Sequence, residues 1–539
     1  MADYVIVGAG SAGCVLAARL SEDPDVSVLL LEAGGPDTAP EIHVPAMFPI
    51  MFKSGLDWDL LGEEEPGLDR RRLYLPRGRM IGGCSSINAM IYLRGNRLDY
   101  DDWAAGGCDG WSYDEVLPYF KRGEDNERGA NDYHGVGGPQ TVSESRSLHP
   151  LVDIMLESAI QAGHPANPDL NGERQDGVGR FQVTQRGGFR CSTADAYLHP
   201  ATGRPNLEVK DCSYAERIVF EGNRAVGVEV VRNGVRETIR AEREVIISAG
   251  AYQSPVLLML SGIGLEEELA PFGIAVREQL PVGRNLQDHA MANLNYLSSA
   301  PAVFGIFTPE NFELLHGEGR GPLTSNLPEA GGFFRSRPDL PAPDVEFHFS
   351  PSLFYDEGLT APHDHGFVFG PVLVKPVARG KVMLRTPMAD SKPRVLSNFL
   401  TTEEDRATMV AGARLALEVA GQPALQAVTK APFSVPASDS DADILAWARR
   451  VCQPVYHPTS TCAMGDVVDS ELRVLGVEGL RVVDASVMPT VTRANTHAPT
   501  MMIAEKAADL ILGNTPLAPL EVPFFRRDKA VQEPQSTAT

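Results

Sequence analysis

The chain opens with the stretch Tyr4-Val5-Ile6-Val7-Gly8-Ala9-Gly10-Ser11-Ala12-Gly13, an apolar run followed by glycines at the spacing GxGxxG. The run predicts a strand, the residues after the glycines predict a helix to about Leu20, and Val26 to Leu31 predicts a second strand. Glycines in such a turn let the backbone approach a pyrophosphate, and the helix N-terminus offers free N–H groups. The order strand, glycine turn, helix and strand therefore predicts a dinucleotide-binding unit.

An acidic residue, Glu32, ends the second predicted strand. A carboxylate at this place can accept hydrogen bonds from the ribose hydroxyls of a dinucleotide and repels a 2′-phosphate, so NADP is disfavoured. A glycine-rich turn without a ligand is the alternative interpretation. The turn residues expected to contact the cofactor are Gly8, Gly10, Ser11, Ala12 and Gly13.

Length and composition limit the possible functions. With 539 residues the chain is too long for one hydrophobic core, so two or more domains are expected. The net charge of −23 argues against nucleic acid or an anionic membrane as a partner, because binding phosphates requires a basic surface. No stretch approaches the roughly 20 apolar residues of a membrane span, and the N-terminal strand leaves no room for a signal peptide. The seven cysteines show neither a CxxC pair nor metal-ligand spacing, which predicts reduced thiols, no metal site and a cytoplasmic protein.

A second strand–turn–helix unit is predicted in the middle of the chain. The patterns of Ala225 to Val231 and Glu244 to Ser248 predict strands, and the second of them leads into an apolar helix. Ser254 is the expected N-cap of this helix, Pro255 its first residue and Gly262 its stop. Since the first unit lies far away along the chain, the nucleotide domain is expected to be assembled from separated segments.

The remaining patterns predict an antiparallel sheet and further helices. Asp344 to Ser350 and Gly366 to Lys375 alternate between apolar and other residues, as strands of an antiparallel sheet do. Helices are predicted from Asp405 to Gly421 and from Pro499 to Leu512, and Gly513 closes the second of them.

Four segments, in order along the chain, resemble the glucose–methanol–choline (GMC) oxidoreductases, a family of FAD-dependent enzymes that oxidise alcohols. The resemblance spans almost the whole chain. Its segments are the glycine turn with Glu32; Gly78-Arg79-Met80-Ile81-Gly82-Gly83-Cys84-Ser85-Ser86-Ile87-Asn88; Gly250-Ala251-Tyr252-Gln253-Ser254-Pro255 with Ser261-Gly262-Ile263-Gly264; and a C-terminal stretch with His457, Val483-Asp484-Ala485-Ser486 and Asn495-Thr496-His497.

The resemblance implies an α/β fold. It combines a Rossmann-like FAD-binding domain, built from discontinuous segments, with a substrate-binding domain that contains an antiparallel sheet. The parts expected to bind FAD are residues 1–150, 206–295 and 451–513. The parts expected to bind the substrate are residues 151–205 and 296–450, and residues 514–539 form a tail.

The resemblance also implies where FAD binds. The Gly82 to Asn88 loop is expected along the pyrophosphate and the isoalloxazine, and Asp484 with Ala485 near the phosphate and ribityl region. At the position of Ile87 some relatives carry a histidine that is bonded covalently to the flavin. Isoleucine cannot form that bond, so FAD is expected to bind non-covalently. Beyond the glycine turn and Glu32, the implied FAD contacts are Arg79, Gly82, Gly83, Ser85, Asn88, Ala89, Asp484, Ala485 and Pro499.

Two histidines, His457 and His497, match the catalytic pair of the family. Alcohol oxidation requires removal of the hydroxyl proton and transfer of a hydride to flavin N5, and a neutral imidazole suits the first task. His457 is the expected base and His497 is expected to hydrogen-bond the alkoxide, although many relatives carry asparagine at the second position. The helix that begins at Pro499 is expected to direct its positive dipole end at the flavin pyrimidine ring.

Two other residues, Glu329 and His348, resemble positions that line the substrate cavity of choline-oxidising relatives. An acid there could pair with a quaternary ammonium group, but no aromatic cage is evident apart from Phe333 and Phe334, and a structural role for Glu329 fits equally well. A neutral primary alcohol is therefore ranked above choline. The segment Asp288-His289 is interpreted as structural support near the cofactor.

The leading hypothesis is FAD-dependent oxidation of a primary alcohol to the aldehyde. The alternatives are a choline dehydrogenase or oxidase, an FAD-containing hydroxynitrile lyase, and a flavin-binding protein without catalysis. The sequence leaves open which alcohol is the substrate, whether O2 or another compound accepts the electrons, and whether the protein is a homo-oligomer.

Overall fold

The glycine turn and the helix after it connect two neighbouring parallel strands of the largest sheet. The computed structural model describes residues 2–525, and within them the first strand spans Ala2–Val7, the helix Ser11–Leu20 and the second strand Val28–Leu31. Tyr4 to Val7 pair in parallel with the whole of the second strand. The predicted unit is therefore confirmed, with its second strand shorter at the start. Residues 526–539 of the predicted tail lie outside the described residues.

The helices and strands follow in chain order. The α-helices are α1 (Ser11–Leu20), α2 (Pro40–His43), α3 (Arg97–Ala105), α4 (Tyr113–Gly123), α5 (Pro150–Gln161), α6 (His199–Ala201), α7 (Gly250–Leu260), α8 (Glu266–Leu269), α9 (Pro309–Glu318), α10 (Glu403–Ala420), α11 (Pro423–Gln426), α12 (Asp441–Val451) and α13 (His497–Leu512). The strands are β1 (Ala2–Val7), β2 (Val28–Leu31), β3 (Leu60–Glu64), β4 (Arg72–Leu75), β5 (Glu124–Asn126), β6 (Gln140–Glu144), β7 (Gly177–Arg180), β8 (Gln182–Val183), β9 (Gln185–Arg186), β10 (Phe189–Arg190), β11 (Leu207–Lys210), β12 (Ser213–Glu221), β13 (Arg224–Arg232), β14 (Val235–Ile247), β15 (Ala290–Met291), β16 (Leu294–Ser298), β17 (Ala330–Phe334), β18 (Val345–Phe349), β19 (Gly366–Phe369), β20 (Pro371–Leu373), β21 (Lys381–Met383), β22 (Arg394–Leu396), β23 (Thr429–Ser434), β24 (Gln453–Pro454) and β25 (Leu480–Val482).

The main sheet has a parallel half and an antiparallel half. Strands β11, β2, β1, β14 and β25 are parallel neighbours in that order. The first part of β14 pairs instead with β13, and β13 with β12, in antiparallel ladders. The parallel strands come from three separated stretches of the chain, as the predicted discontinuous nucleotide-binding fold requires. The exact domain bounds stay predictions.

A second sheet is entirely antiparallel, in the order β24, β15, β20, β18, β17, β7. Strand β18 lies within the predicted strand of residues 344–350. The prediction of one continuous strand over residues 366–375 is wrong. The chain forms two strands there: β19 pairs with β16, and β20 belongs to the second sheet. Gly370 separates the two and packs against the backbone of Ala292, and Pro371 lacks an N–H to continue the ladder.

Two helices begin earlier than their prolines predict. Helix α7 begins at Gly250, so Ser254 is not its N-cap; the Ser254 hydroxyl instead donates to Asp484 at 2.5 Å. Pro255 lies inside this helix and leaves the Ala251 carbonyl without its helical partner, and the Thr461 hydroxyl donates to that carbonyl at 2.7 Å. Helix α13 begins at His497, which places Pro499 within its first turn, where N–H groups have no helical partner.

One continuous cluster of buried apolar side chains connects the two sheets. It contains Ile6 and Ile246 of the main sheet and Phe347 of the second sheet, each fully buried. Within residues 2–525, no helix combines the length and the apolar character that a membrane crossing requires.

We expect Gly13→Ala to lower the free energy of unfolding of the FAD-free protein by roughly 1–3 kcal/mol, since a Cβ there would overlap the Gly8 carbonyl. Gly10→Ala is the matched control, because a Cβ at Gly10 meets nothing within 4 Å and its φ of −77° suits alanine. The control should change stability by less than about 1 kcal/mol. Urea denaturation measures both values, and equal losses would contradict the close packing at Gly13.

Candidate active site

A deep cavity lies where the parallel strands of the main sheet end. Its wall includes the glycine turn after β1, Glu32 after β2, Ser248 after β14 and Asp484 after β25. Nucleotides bind at this end of parallel sheets in doubly wound folds. The cavity extends to the second sheet, where His348 and His457 line it. We call these two regions the cofactor end and the substrate end.

Most of the predicted FAD contacts lie on the wall of this cavity. Those that line it are Gly8, Gly10, Ser11, Ala12, Glu32, Gly83, Asn88, Ala89, Asp484 and Ala485. Those that do not are Gly13, Arg79, Gly82, Ser85 and Pro499. These support the wall: the Ser85 hydroxyl donates to the Gly82 carbonyl at 2.6 Å, and the Arg79 guanidinium lies 5.1 Å from the Trp58 ring centre.

Several polar atoms on the cavity wall suit a bound dinucleotide. Ser248 Oγ, Asn495 Oδ1 and His497 Nε2 are buried and have no hydrogen-bond partner among residues 2–525. Leaving such atoms without a partner costs free energy, which a ligand can recover. The wall also includes the N-terminus of α1 and open space at Gly10, as a phosphate group needs. The residues present therefore fit FAD.

Glu32 fixes the shape of the glycine turn. One of its oxygens accepts the Ala9 N–H and the other accepts the Gly34 N–H, each at 2.8 Å. Burial raises the pKa of this carboxyl to about 7, against the opposing effect of these two hydrogen bonds. Each oxygen keeps a second acceptor site, so Glu32 can still accept a hydrogen bond from a ribose hydroxyl.

A strained turn presents His457 at the substrate end. The preceding Tyr456 has a φ of 67°, a left-handed conformation that bulky residues rarely adopt. Two contacts hold it: the Arg77 guanidinium donates to the Tyr456 carbonyl at 2.6 Å, and the Tyr456 hydroxyl donates to the Glu357 carbonyl at 3.1 Å. Burial lowers the pKa of His457 well below its usual value, and His289 adds to this effect. The imidazole is therefore neutral at pH 7.

Asp288 and His289 hold His457 from behind. Asp288 Oδ1 accepts the backbone N–H groups of both histidines, each at 2.8 Å. Nδ1 of His289 lies 3.0 Å from Nδ1 of His457, so one ring donates to the other. Burial lowers the pKa of His289 to about 3, and the pair is therefore uncharged. Asp288 and His289, which were predicted to give structural support near the cofactor, contact His457.

The partner at the other nitrogen of His457 is Asn495 rather than His497. Nδ2 of Asn495 lies 3.1 Å from Nε2 of His457, whereas Nδ1 of His497 lies 3.2 Å from the Ser11 hydroxyl. With the amide donating, Nε2 of His457 carries the lone pair and Nδ1 carries the proton. The structure thus brings Asn495 to His457, while His497 begins α13 and faces the glycine turn; the alkoxide contact expected of His497 stays a prediction. Burial lowers the pKa of His497 to about 4.

Glu329 does not line the cavity, which corrects its predicted position. Its two oxygens accept the His149 N–H at 2.7 Å and the Ser325 hydroxyl at 2.5 Å, and they join these two segments. Burial raises the pKa of Glu329 to about 7. His348 does line the cavity, and its Nε2 lies 3.1 Å from Oε1 of Glu346.

Two residues of the wall carry little sequence signal. Asn495 lies two residues before His497. The one signal for it in the sequence was that many relatives carry asparagine at the second catalytic position. Met291 belongs to no motif. Only the pairing of the two-residue strand β15 with β20 and β24 brings Met291 to the substrate end.

Comparisons with known proteins agree with this geometry. Models of GMC oxidoreductases match residues 2–291 and 376–504 of the chain. A GMC-type oxidoreductase of Mycobacterium tuberculosis is 45% identical over 94% of this chain and 99% of its own length. The mitochondrial choline dehydrogenase of Mus musculus is 42% identical over 97% of this chain and 91% of its own length. Among solved structures, pyridoxine 4-oxidase from Mesorbium loti matches with a TM-score of 0.88 and 31% identity, over 96% of this chain and all of that one (100%).

We expect Glu329→Gln to flatten the pH dependence of stability. A carboxyl whose pKa rises from 4.5 to about 7 on folding holds its proton more tightly in the folded state, so the free energy of unfolding falls as pH rises across that range. Removing the group should make the slope less negative by up to about 1.4 kcal/mol per pH unit. Urea denaturation between pH 5 and 7 measures this slope, and an unchanged slope would contradict the effect of burial.

Proposed function

The chain belongs to the GMC oxidoreductase family, and from this premise we propose that it binds FAD non-covalently and oxidises a primary alcohol to the aldehyde. One observation carries the proposal. The neutral imidazole of His457 and the nucleotide-binding glycine turn lie on the wall of the same cavity. A cofactor that spans the cavity from the turn therefore ends beside a base.

The residues proposed to hold FAD are those of the cofactor end. The glycine turn and the N-terminus of α1 would receive the phosphates, and Glu32 the ribose. Asp484, which accepts the Gly250 N–H at 2.9 Å, fixes the start of α7 beside the same region. Ile87 lies on the wall and has no group that can form a covalent bond to the flavin.

His457 is proposed to take the hydroxyl proton of the alcohol on Nε2. This nitrogen carries a lone pair at neutral pH, and His289 and Asp288 fix the orientation of the ring. The alcohol hydroxyl would first displace the Asn495 N–H from the single lone pair of Nε2, and the amide would then be free to donate to the oxygen that becomes the alkoxide. When bound, FAD supplies the acceptor for the hydride that leaves the alcohol carbon.

His497 is proposed to contact the cofactor rather than the alcohol. Its Nδ1 is engaged with Ser11 of the glycine turn, and its Nε2 has no partner among the described residues. As the first residue of α13, it lies where the positive end of the helix dipole favours negative charge on a ligand.

We expect His457→Ala to slow reduction of the flavin by the alcohol at least 100-fold, because general-base catalysis contributes about that much or more. The FAD content should stay unchanged. Anaerobic stopped-flow spectroscopy with a panel of alcohols measures the rate, and the visible spectrum measures the cofactor. A variant that reduces its flavin at the wild-type rate would exclude His457 as the base. A wild-type flavin that no alcohol bleaches would favour a lyase.

Asn495→Ala and His497→Ala separate the two candidate partners of His457. We expect the first to slow flavin reduction about 10- to 100-fold with FAD still bound, since it removes a hydrogen bond to the developing oxyanion. The second should change this rate less than about threefold and raise the Kd for FAD. Titration of the FAD-free variants with FAD measures affinity, and the reverse pattern would restore His497 as the second catalytic residue.

A further inference from the structure

The substrate end of the cavity has an apolar wall. Met291, on β15, is buried, and it forms a cluster with Val372 and Val374 against which Phe354 and Val455 pack. Of these five residues, Met291, Phe354 and Val455 line the cavity. Such a wall binds an apolar body by removing it from water.

The carboxylates on the cavity wall lie away from this region. Glu32 and Asp484 are the acidic residues that line the cavity within the described part of the chain, and both belong to the cofactor end. Their oxygens already accept hydrogen bonds from the backbone of the turns that they hold. Neither is placed to pair with a cation beside His457.

Three other buried acids in this part of the structure do not line the cavity. Oδ1 of Asp288 accepts two backbone N–H groups, and Oε1 of Glu346 lies 3.1 Å from Nε2 of His348. Glu329, the acid that the sequence places nearest to a choline-binding position, is occupied by His149 and Ser325. The charged side chain that does line the cavity next to His457 is a cation, Arg77.

These charges act against a cationic substrate. A quaternary ammonium group at the substrate end would leave water for an apolar wall, with no carboxylate on the wall beside it and near a guanidinium. A neutral alcohol of the same shape would bury the same surface without that cost. Phe52, Phe354 and Tyr456 also line the cavity, and a cation–π contact with them would return part of the solvation that the ion gives up without supplying a counter-charge.

We propose that the substrate is a neutral alcohol with an apolar body, that the enzyme discriminates against quaternary-ammonium alcohols, and that Met291 is the residue that sets this preference. The proposal rests on the function proposed above. It separates this chain from the choline dehydrogenase that it resembles, although the two share 42% of their residues.

Two isosteric alcohols test the preference directly in the FAD-loaded wild-type enzyme. Choline and 3,3-dimethylbutan-1-ol have the same shape and differ in whether nitrogen or carbon carries the three methyl groups. We expect kcat/KM for the neutral alcohol to exceed that for choline at least tenfold, and reduction by benzyl alcohol or hexan-1-ol with none by choline supports the proposal equally. Choline within tenfold of the best neutral alcohol overturns the proposal and leaves alcohol oxidation intact. Flavin that no alcohol reduces overturns the proposed function itself.

The role of Met291 is tested by Met291→Glu, with Met291→Gln as a control of similar size and no charge. The ratio of kcat/KM for choline to that for 3,3-dimethylbutan-1-ol should rise at least tenfold in the glutamate variant relative to the glutamine variant. An equal ratio in the two variants overturns the assignment to Met291. FAD content and thermal unfolding show whether each variant is folded, and the wild-type comparison decides the substrate class if the glutamate variant loses its cofactor.

Discussion

In the glycine turn, the backbone of α1 packs directly on the end of β1, because Gly13 has no side chain to hold the Gly8 carbonyl away. This close approach sets the helix N-terminus at the edge of the sheet, and Glu32, which follows the neighbouring strand β2, accepts the Ala9 N–H in the turn. Distant segments then attach to the same turn. The Gly82 N–H donates to the Ala9 carbonyl at 2.8 Å, and Ser11 meets His497 at the start of α13.

The proposed base, His457, lies where the main sheet gives way to the second sheet. Strands β15 and β24 are antiparallel neighbours, and the Val455 N–H donates to the His289 carbonyl at 3.0 Å. This pairing brings His289 and His457 together ring to ring, and Asp288 ties their backbones to one oxygen. Burial keeps both rings neutral, so a site able to accept a proton follows from the packing of two short strands.

High identity to a choline dehydrogenase and a cavity without a counter-charge for choline are compatible. The nucleotide-binding sheet and the setting of His457 would serve any alcohol, whatever body carries the hydroxyl group. The proposed substrate choice depends instead on side chains at the substrate end, and such a site can change on a fold that stays the same. In the proposal made above, one side chain on that apolar wall, Met291, carries this choice.

The sequence by itself determined the FAD-binding fold, the family and the glycine turn, and it predicted His457 as the base, because each of these is specified by local spacing or by an ordered series of motifs. It also predicted the antiparallel sheet, although it joined β19 and β20 into one strand. Only the tertiary structure decided that Asn495 rather than His497 meets His457, that both oxygens of Glu329 are occupied outside the cavity, and that Met291 lines the substrate end. The physical reason is that the direction of a side chain at a helix start or on a two-residue strand depends on packing against segments far away in the chain, which local spacing does not encode.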